Sequence, residues 1–480
     1  VKSFVRWVAA ILVVLTNCTA WGQSPTNLRD AVETAVLQNP DVKLRYHNLL
    51  AALQERRAGE GGWYPKVDLE ATTGSYQTQS PSIPNAMSYP GNRTVLQLRQ
   101  MLFDGFATRQ EVRRLSYSQL ATYYDLVAAT NQTSLEVARA YIDVLRFREF
   151  VNLATDNYTN HLEVHDKLAQ KVKAGVGRRV DLEQASGRLA LAESNWLTEV
   201  SNLHDVSARY QRLVGDIPAE TLTPLDAVDE YLPIGSDFLS EAVRTSPEFM
   251  AAVATIRAYR ADSVTRKSAN YPTLEFRARQ TYETNQQGVV GEYRDTAVEL
   301  VLNYNLYRGG SDSARIKQYL AKLDSAFDLR DKACRDGWQT GQIAFNDSIR
   351  IANQLKLLAQ HELSTSKAQQ AYQQQFDIGQ RSLLDLLDTQ NELYQSRRAL
   401  AGGEYDLQLA QIRVLATSGE LLKAIKVRTL APEKPDVAGG ADKEDDLMQC
   451  SDRILPALTL NRSLPVSQTP DLKLQDPARK

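Results

Sequence analysis

Residues 106–173 read FATRQEVRRLSYSQLATYYDLVAATNQTSLEVARAYIDVLRFREFVNLATDNYTNHLEVHDKLAQKVK, nearly 70 residues without a glycine or a proline. Glycine interrupts helices through backbone freedom, and proline by losing a donor and clashing with the preceding turn. A segment free of both has little to stop a helix, and at ~1.5 Å per residue it would run about 100 Å. Helices in globular proteins average ~11–12 residues. One this long must pack beside others of its kind, as coiled-coil neighbours. Gly175 and Gly177 end the run, and helical spacing resumes over Asp181–Leu213. A second run, Ser311–Ile378, lacks proline and holds only Gly337 and Gly341; Gly379 ends it and helix returns over Leu383–Leu421. The sequence therefore predicts two long helical hairpins, at about 106–213 and 311–421.

The two hairpins belong to a duplicated unit. Leu28-Arg-Asp-Ala31-Val32 is echoed by Leu239-Ser-Glu-Ala242-Val243, Asn39-Pro40 by Ser246-Pro247, and Tyr64-Pro65 by Tyr271-Pro272. Leu102-Phe-Asp-Gly105 is echoed by Leu306-Tyr-Arg-Gly309, and Gly175 with Asp181-Leu182 by Gly379 with Asp385-Leu386. The offset falls from 211 to 207 to 204, so order is kept while a few residues are lost. Five pairs in one order indicate a tandem repeat, first at 23–214 and again at 237–425. Between them, 215–236 carries Pro218, Pro224 and Pro233 and reads as a crossover linker.

Ahead of each helical hairpin the period changes to two. Val67, Leu69, Ala71 and Thr73 alternate with Lys66, Asp68, Glu70 and Thr72, and Thr94, Leu96, Leu98 and Leu102 share a face after the turn-rich 80–92. In the second half Leu274, Phe276, Ala278 and Tyr282 oppose Glu275, Arg277 and Arg279. Past the turn at 288–291, Thr296, Val298, Leu300, Leu302, Tyr304 and Leu306 form a face. These are β-hairpins at about 66–103 and 273–307. Alternation alone fits an ordinary half-exposed hairpin as well as a membrane strand. Four strands cannot close a barrel, for which about eight is the minimum, and open edges are untenable in lipid. If the strands enter a membrane, several copies must share one barrel.

The N-terminus has Lys2 and Arg6, an apolar run Trp7–Leu15 and small residues through Gly22, the pattern of a signal peptide over 1–22. Leu15-Thr-Asn-Cys18 invites a lipoprotein reading, but Asn17 is bulkier than the residue usual before a lipidated cysteine. With Cys18 in the leader, Cys334 and Cys450 are the pair left that could bridge, although three scattered cysteines make no framework. A net charge of −2 with 24% charged residues gives no basic excess, so no nucleic-acid partner is expected. His161 and His165 have the i, i+4 spacing of a metal pair, but only Glu163 lies near as a third ligand, and a solvated helix face is the expected reading. No Ser-His-Asp order, Walker loop or dinucleotide fingerprint is present, so neither enzyme activity nor cofactor is expected. Residues 426–480, with six of the 17 prolines after residue 430 and the charge run Lys443–Asp446, read as a disordered tail.

The stretch Ala174-Gly-Val-Gly-Arg-Arg-Val-Asp-Leu-Glu-Gln-Ala-Ser-Gly-Arg-Leu-Ala-Leu-Ala-Glu-Ser, with Phe376-Asp-Ile-Gly-Gln-Arg-Ser-Leu-Leu-Asp-Leu-Leu-Asp388 in the second half, resembles the TolC family of outer-membrane channels. It looks closest to the branch serving type I secretion, and the resemblance covers roughly 24–425. It implies a mixed α+β membrane protein: a homotrimer whose shared β-barrel, four strands per chain, sits in outer-membrane lipid on a long α-helical barrel crossing the periplasm. It also implies docking to a periplasmic adaptor (membrane fusion) protein and an inner-membrane transporter of the ABC type. Small-molecule efflux within the same family is the alternative, and a soluble periplasmic coiled-coil adaptor is the reading outside it.

In that family the far turns of the helices are held shut by polar contacts. Carried onto matching positions, the gate residues are Asp181, Phe376, Arg381, Asp385 and Asp388, with Gly175 and Gly379 making the turns. Phe376 stands where some members place tyrosine, and Val180 where threonine occurs, so the latch is expected to lean on Arg381 pairing with Asp181. Independently of the family, Asp385 and Asp388 are three apart and share a helix face. Threefold symmetry would stack them as two carboxylate rings that attract cations unless arginine offsets them. The competing reading is solvated acids at a helix N-terminus, where they are favoured anyway.

Overall fold

The computed structural model describes residues 24–81, 83–225, 228–233, 235, 237–439, 445–450 and 455. The leader read at 1–22, with Cys18, lies outside the described residues, as does nearly all of the tail beyond 450. The elements come twice in one order: α1 (Leu28–Gln38), α2 (Pro40–Glu60), β1 (Lys66–Ser80), β2 (Ile83–Phe103), α3 (Ala107–Lys173) and α4 (Arg179–Val214), then α5 (Phe238–Thr245), α6 (Pro247–Lys267), β3 (Thr273–Thr284), β4 (Glu292–Asn303), α7 (Ser311–Asp377) and α8 (Leu383–Thr417). The chain is thus mixed α+β, one four-stranded sheet with long paired helices. α3 and α7 each run 67 residues. The repeated Asn39-Pro40 and Ser246-Pro247 landmarks are helix starts. Asn39 Oδ1 accepts from the Asp41 amide at 2.9 Å and Ser246 Oγ from the Phe249 amide at 3.3 Å, while each proline takes a first-turn position that needs no N–H.

The chain divides into two compact units. The first holds 24–42, 130–236 and 343–429. Its core sets Ala31, Val32, Ala35 and Val36 of α1 against Val137, Tyr141 and Val144 of α3, Val206 and Tyr210 of α4, and Ile412 and Leu415 of α8. The linker 215–236 is packed onto this core. Leu222, Leu225 and Leu232 lie against it, and the Thr223 amide donates to Thr26 O at 2.8 Å.

The second unit holds 43–129, 237–342 and 430 onward. Its sheet has the order β1-β2-β3-β4, every pair antiparallel, with β2 against β3 joining the two repeats. The register aligns Val67, Leu98, Ala278 and Val298 in one row and Leu69, Leu96, Gln280 and Thr296 two residues along, on the same face. On that face Val67, Leu69, Leu96, Val298, Leu300 and Leu302 are 48–70% exposed. The other face is charged: Arg99 meets Asp68 at 2.6 Å, Arg277 meets Glu275 at 3.0 Å and Arg279 meets Asp295 at 3.9 Å. An exposed apolar face opposite a face of paired charges fits the alternation of membrane-barrel strands. β4 ends at Asn303, short of the 307 expected, because Asn303 pairs with Thr273, the first residue of β3, and the ladder has no partner beyond it. Tyr304 and Leu306 therefore lie outside the strand. Among the described residues, β1 and β4 each keep one unpaired edge, and no helix is long and apolar enough to cross a membrane.

The expectation of a disordered tail is corrected over its described part. Lys434 lies over the Tyr124 ring at 5.6 Å, Arg56 donates to Asp436 O at 2.8 Å, and Val437 packs with Tyr117, Leu120 and Ala254. Leu447, 1% exposed, enters a core with Leu239, Val243, Phe249 and Trp338. Cys450 is disulfide-bonded to Cys334 of α7. Composition hid this order because the anchors are few and aperiodic, and a covalent tie supplies part of the restraint.

Candidate functional site at the helix turns

The site lies in the first unit, where α3 turns into α4 and α7 into α8. α3 closes with the Val176 amide bonded to Lys171 O at 3.1 Å and the Gly175 amide to Val172 O at 3.0 Å. α7 closes identically, Gln380 to Gln375 O at 2.8 Å and Gly379 to Phe376 O at 2.9 Å. These are paired Schellman caps, and their pivot must be left-handed. Gly175 and Gly379 both have φ of 76°, which a side chain would strain. α8 then starts from Ser382, whose Oγ accepts from the Asp385 amide at 3.2 Å. Asp181 and Asp385 occupy equivalent first turns, where carboxylates favour the helix dipole.

Behind the turns is an apolar plug. Val164 and Leu168 of α3, Ala185 of α4 and Leu383 and Leu387 of α8 are buried together, with Leu182 and Phe376 packed on them. Phe376 thus makes apolar contact where a hydroxyl would have sought a carboxylate. A cleft of about 350 Å³ beside it is lined by Leu168, Lys171 and Val176 on one side and Gln373, Phe376 and Asp377 on the other.

The polar groups divide differently from expectation. Arg381 does not reach Asp181 within the chain. Its Nε donates to Gln375 Oε1 at 2.9 Å, its guanidinium lies 4.3 Å from the Tyr372 ring centroid, and it approaches Asp385 Oδ2 at 3.7 Å. The Schellman turn supplies those partners locally, which residue types alone did not disclose. Asp181 has no hydrogen-bond or ion-pair partner among the described residues. Asp388 is ion-paired to Arg188 of α4, a residue the sequence reading passed over. Its signal was available: Arg188 follows Asp181 by seven residues, two helical turns along the same stripe.

His161 is also corrected. Far from solvated, it is 3% exposed, and its Nδ1 has no hydrogen-bond partner among the described residues. Burial, and then the nearby Arg188 charge, hold its pKa below the ordinary histidine value. His165 is partly exposed, 3.2 Å from Asp166. Among the described residues, no group of three or more His, Cys, Asp or Glu is placed to hold a metal ion.

The profile of the family described as "Outer membrane efflux protein" matches residues 31–216 and 238–420, one stretch for each repeat. The outer membrane efflux protein BepC of Brucella suis biovar 1 (strain 1330) is 26% identical over 378 residues, covering 76% of this chain and 80% of that protein. The outer membrane protein TolC of Escherichia coli (strain K12) is 22% identical over 416 residues, covering 82% of each. Among solved structures, the Campylobacter jejuni CmeC outer membrane channel superposes with a TM-score of 0.75 at 17% identity, covering 82% of this chain and 86% of that one; the likeness is one of fold.

Proposed function

Since the chain belongs to the outer membrane efflux protein family, channels of the outer membrane that extend into the periplasm and mediate export without catalysis of their own, we propose that it is a trimeric duct for small-molecule efflux. The observation that carries the channel reading is the sheet. Its apolar face is open, its charged face is internally paired, and among the described residues β1 and β4 each present an unpaired edge. In hydrocarbon an unpaired edge is prohibitive. The edges are satisfied if β4 of one copy pairs with β1 of the next, and three copies close twelve strands. The soluble adaptor reading would leave that apolar face in water, which disfavours it.

Efflux is preferred over protein secretion because the family is described by efflux and the Brucella relative carries that name. Type I secretion remains as a second reading on one observation, the turn stretches Ala174–Ser194 and Phe376–Asp388. In either case a periplasmic adaptor and an inner-membrane transporter, of the ABC type for secretion, supply substrate and energy. The constriction is assigned to Asp181, Phe376, Arg381, Asp385 and Asp388, on turns made by Gly175 and Gly379. Asp181, unpartnered among the described residues, is the group available to a neighbouring copy. Gene deletion tests the substrate class. Raised sensitivity to small toxic compounds with an unchanged secreted proteome is expected, and lost secretion with unchanged sensitivity would move the assignment to the second reading. A monomer in mild detergent would refute the shared barrel.

A further inference from the structure

Two of the three carboxylates assigned to the constriction have an arginine of their own chain beside them. Asp385 has Arg381 at 3.7 Å, loosely held because that guanidinium also serves Gln375 and Tyr372. Asp388 is bonded directly through its Oδ1 to Nη2 of Arg188, which comes from the other repeat's helix α4. The Arg188 side chain is 31% exposed and that of Asp388 54% exposed, so the pair sits at the rim of the packed turn, open to solvent on the Asp388 side. The buried His161 lies near enough to Arg188 to feel its charge.

We propose that Arg188 is a selectivity-determining residue of the duct: by neutralising Asp388 in each chain, it turns what would be a bare carboxylate ring into a ring of ion pairs. This deepens the constriction assignment and rests on it. The charge count makes the inference sharp. Asp181, Arg188, Arg381, Asp385 and Asp388 sum to one net negative charge per chain. Arg188→Gln leaves two, Asp388→Asn leaves none, and the double substitution returns to one. Threefold symmetry multiplies each difference, and a narrow pore lined by charge selects ions by its sign.

Reversal potentials of the purified trimer in a planar bilayer under a KCl gradient test this. The expected cation preference is greatest for R188Q, intermediate and alike for wild type and R188Q/D388N, and least for D388N. Arg188→Lys should stay near wild type, because the contact needs a positive charge at one atom, a behaviour that a merely packing role would not produce. The ordering should compress at 1 M salt, where screening shortens to ~3 Å. Migration of each variant as a heat-modifiable trimer confirms that it has assembled. If D388N shifts selectivity while R188Q does not, Arg188 is not a determinant and the constriction assignment stands. If neither shifts it, Asp388 does not face the ion path, and both the assignment and the inference fall.

Discussion

Replacing Cys450 by serine cuts the disulfide to Cys334, which closes a sequence separation of 116 residues. In the chain-entropy model a loop of that size restrains the unfolded ensemble by about 5 kcal/mol at 25 °C. The non-covalent hold on segment 430–450 is weaker. Leu447 is its one fully buried side chain among the described residues, worth about 2 kcal/mol of burial, and Val437 and the Lys434–Tyr124 contact add less. Ordering each backbone residue costs about 1–2 kcal/mol. Some twenty residues held by so few contacts should not stay down without the tie. The expected result is therefore local release before global unfolding: in C450S, or in wild type under reductant, amides near Leu447 lose hydrogen-exchange protection while those of α3 and α8 keep theirs. Exposure of Leu239, Val243 and Phe249 then lowers the thermal midpoint of detergent-solubilised protein, by at most about 10 °C for the full 5 kcal/mol. Exchange mass spectrometry with and without reductant, and a melt at one fixed scan rate, measure both. Unchanged protection at 445–450 together with an unchanged midpoint would refute the reasoning, since the segment would then be held by contacts other than those described.

Three further outcomes follow from the same structure. Val298→Arg on the exposed sheet face should cost about 2–4 kcal/mol in the bilayer and deplete the protein from outer-membrane fractions; normal recovery would argue against a lipid-facing position. Gly379→Ala meets no neighbouring atom, so only its left-handed φ is penalised, by about 1–2 kcal/mol. That should appear as faster proteolysis at the α7–α8 turn, and equal cleavage rates would remove the strain argument. His161 has a depressed folded pKa, so the unfolded chain binds its proton more readily and stability rises with pH. Its contribution is full above the unfolded value of about 6.5 and is lost as pH falls below that toward the folded value. Wild type should thus lose thermal midpoint on acidification from pH 7 to 5 more than His161→Leu does, and parallel curves for the two would contradict the assignment.

The geometry of the two turns was readable because turn chemistry is local. Gly175 and Gly379 stood out as the residues that end breaker-poor runs, and both proved to be left-handed pivots of the same cap. Asp181 and Asp385 were placed on equivalent helix starts by the repeat alone. The pairing of charges was not readable in the same way. Arg381 has several acids within a few residues, and which one it meets depends on where Gln375 and the Tyr372 ring lie after the turn. Arg188 and Asp388 are 200 positions apart, and nothing in either neighbourhood names the other. His161 shows the same limit, because a histidine on a long polar helix looks solvated until the neighbouring helices cover it.

The sequence by itself determined the architecture's parts: two repeats, each a period-two hairpin followed by a helix too long for a globular core. Periodicity and the absence of glycine and proline act on the chain locally, so they can be read without coordinates. It also determined that the strands alone could not distinguish a soluble hairpin from a membrane one. Only the tertiary structure decided which strands meet, pairing β2 with β3 across the repeats so that Val67, Leu98, Ala278 and Val298 align on one face while the ion pairs lie on the other. It likewise decided that the tail is partly anchored and that Asp388 belongs to Arg188. These are contacts between residues far apart in the chain, and their partners are selected by packing, on which local pattern is silent.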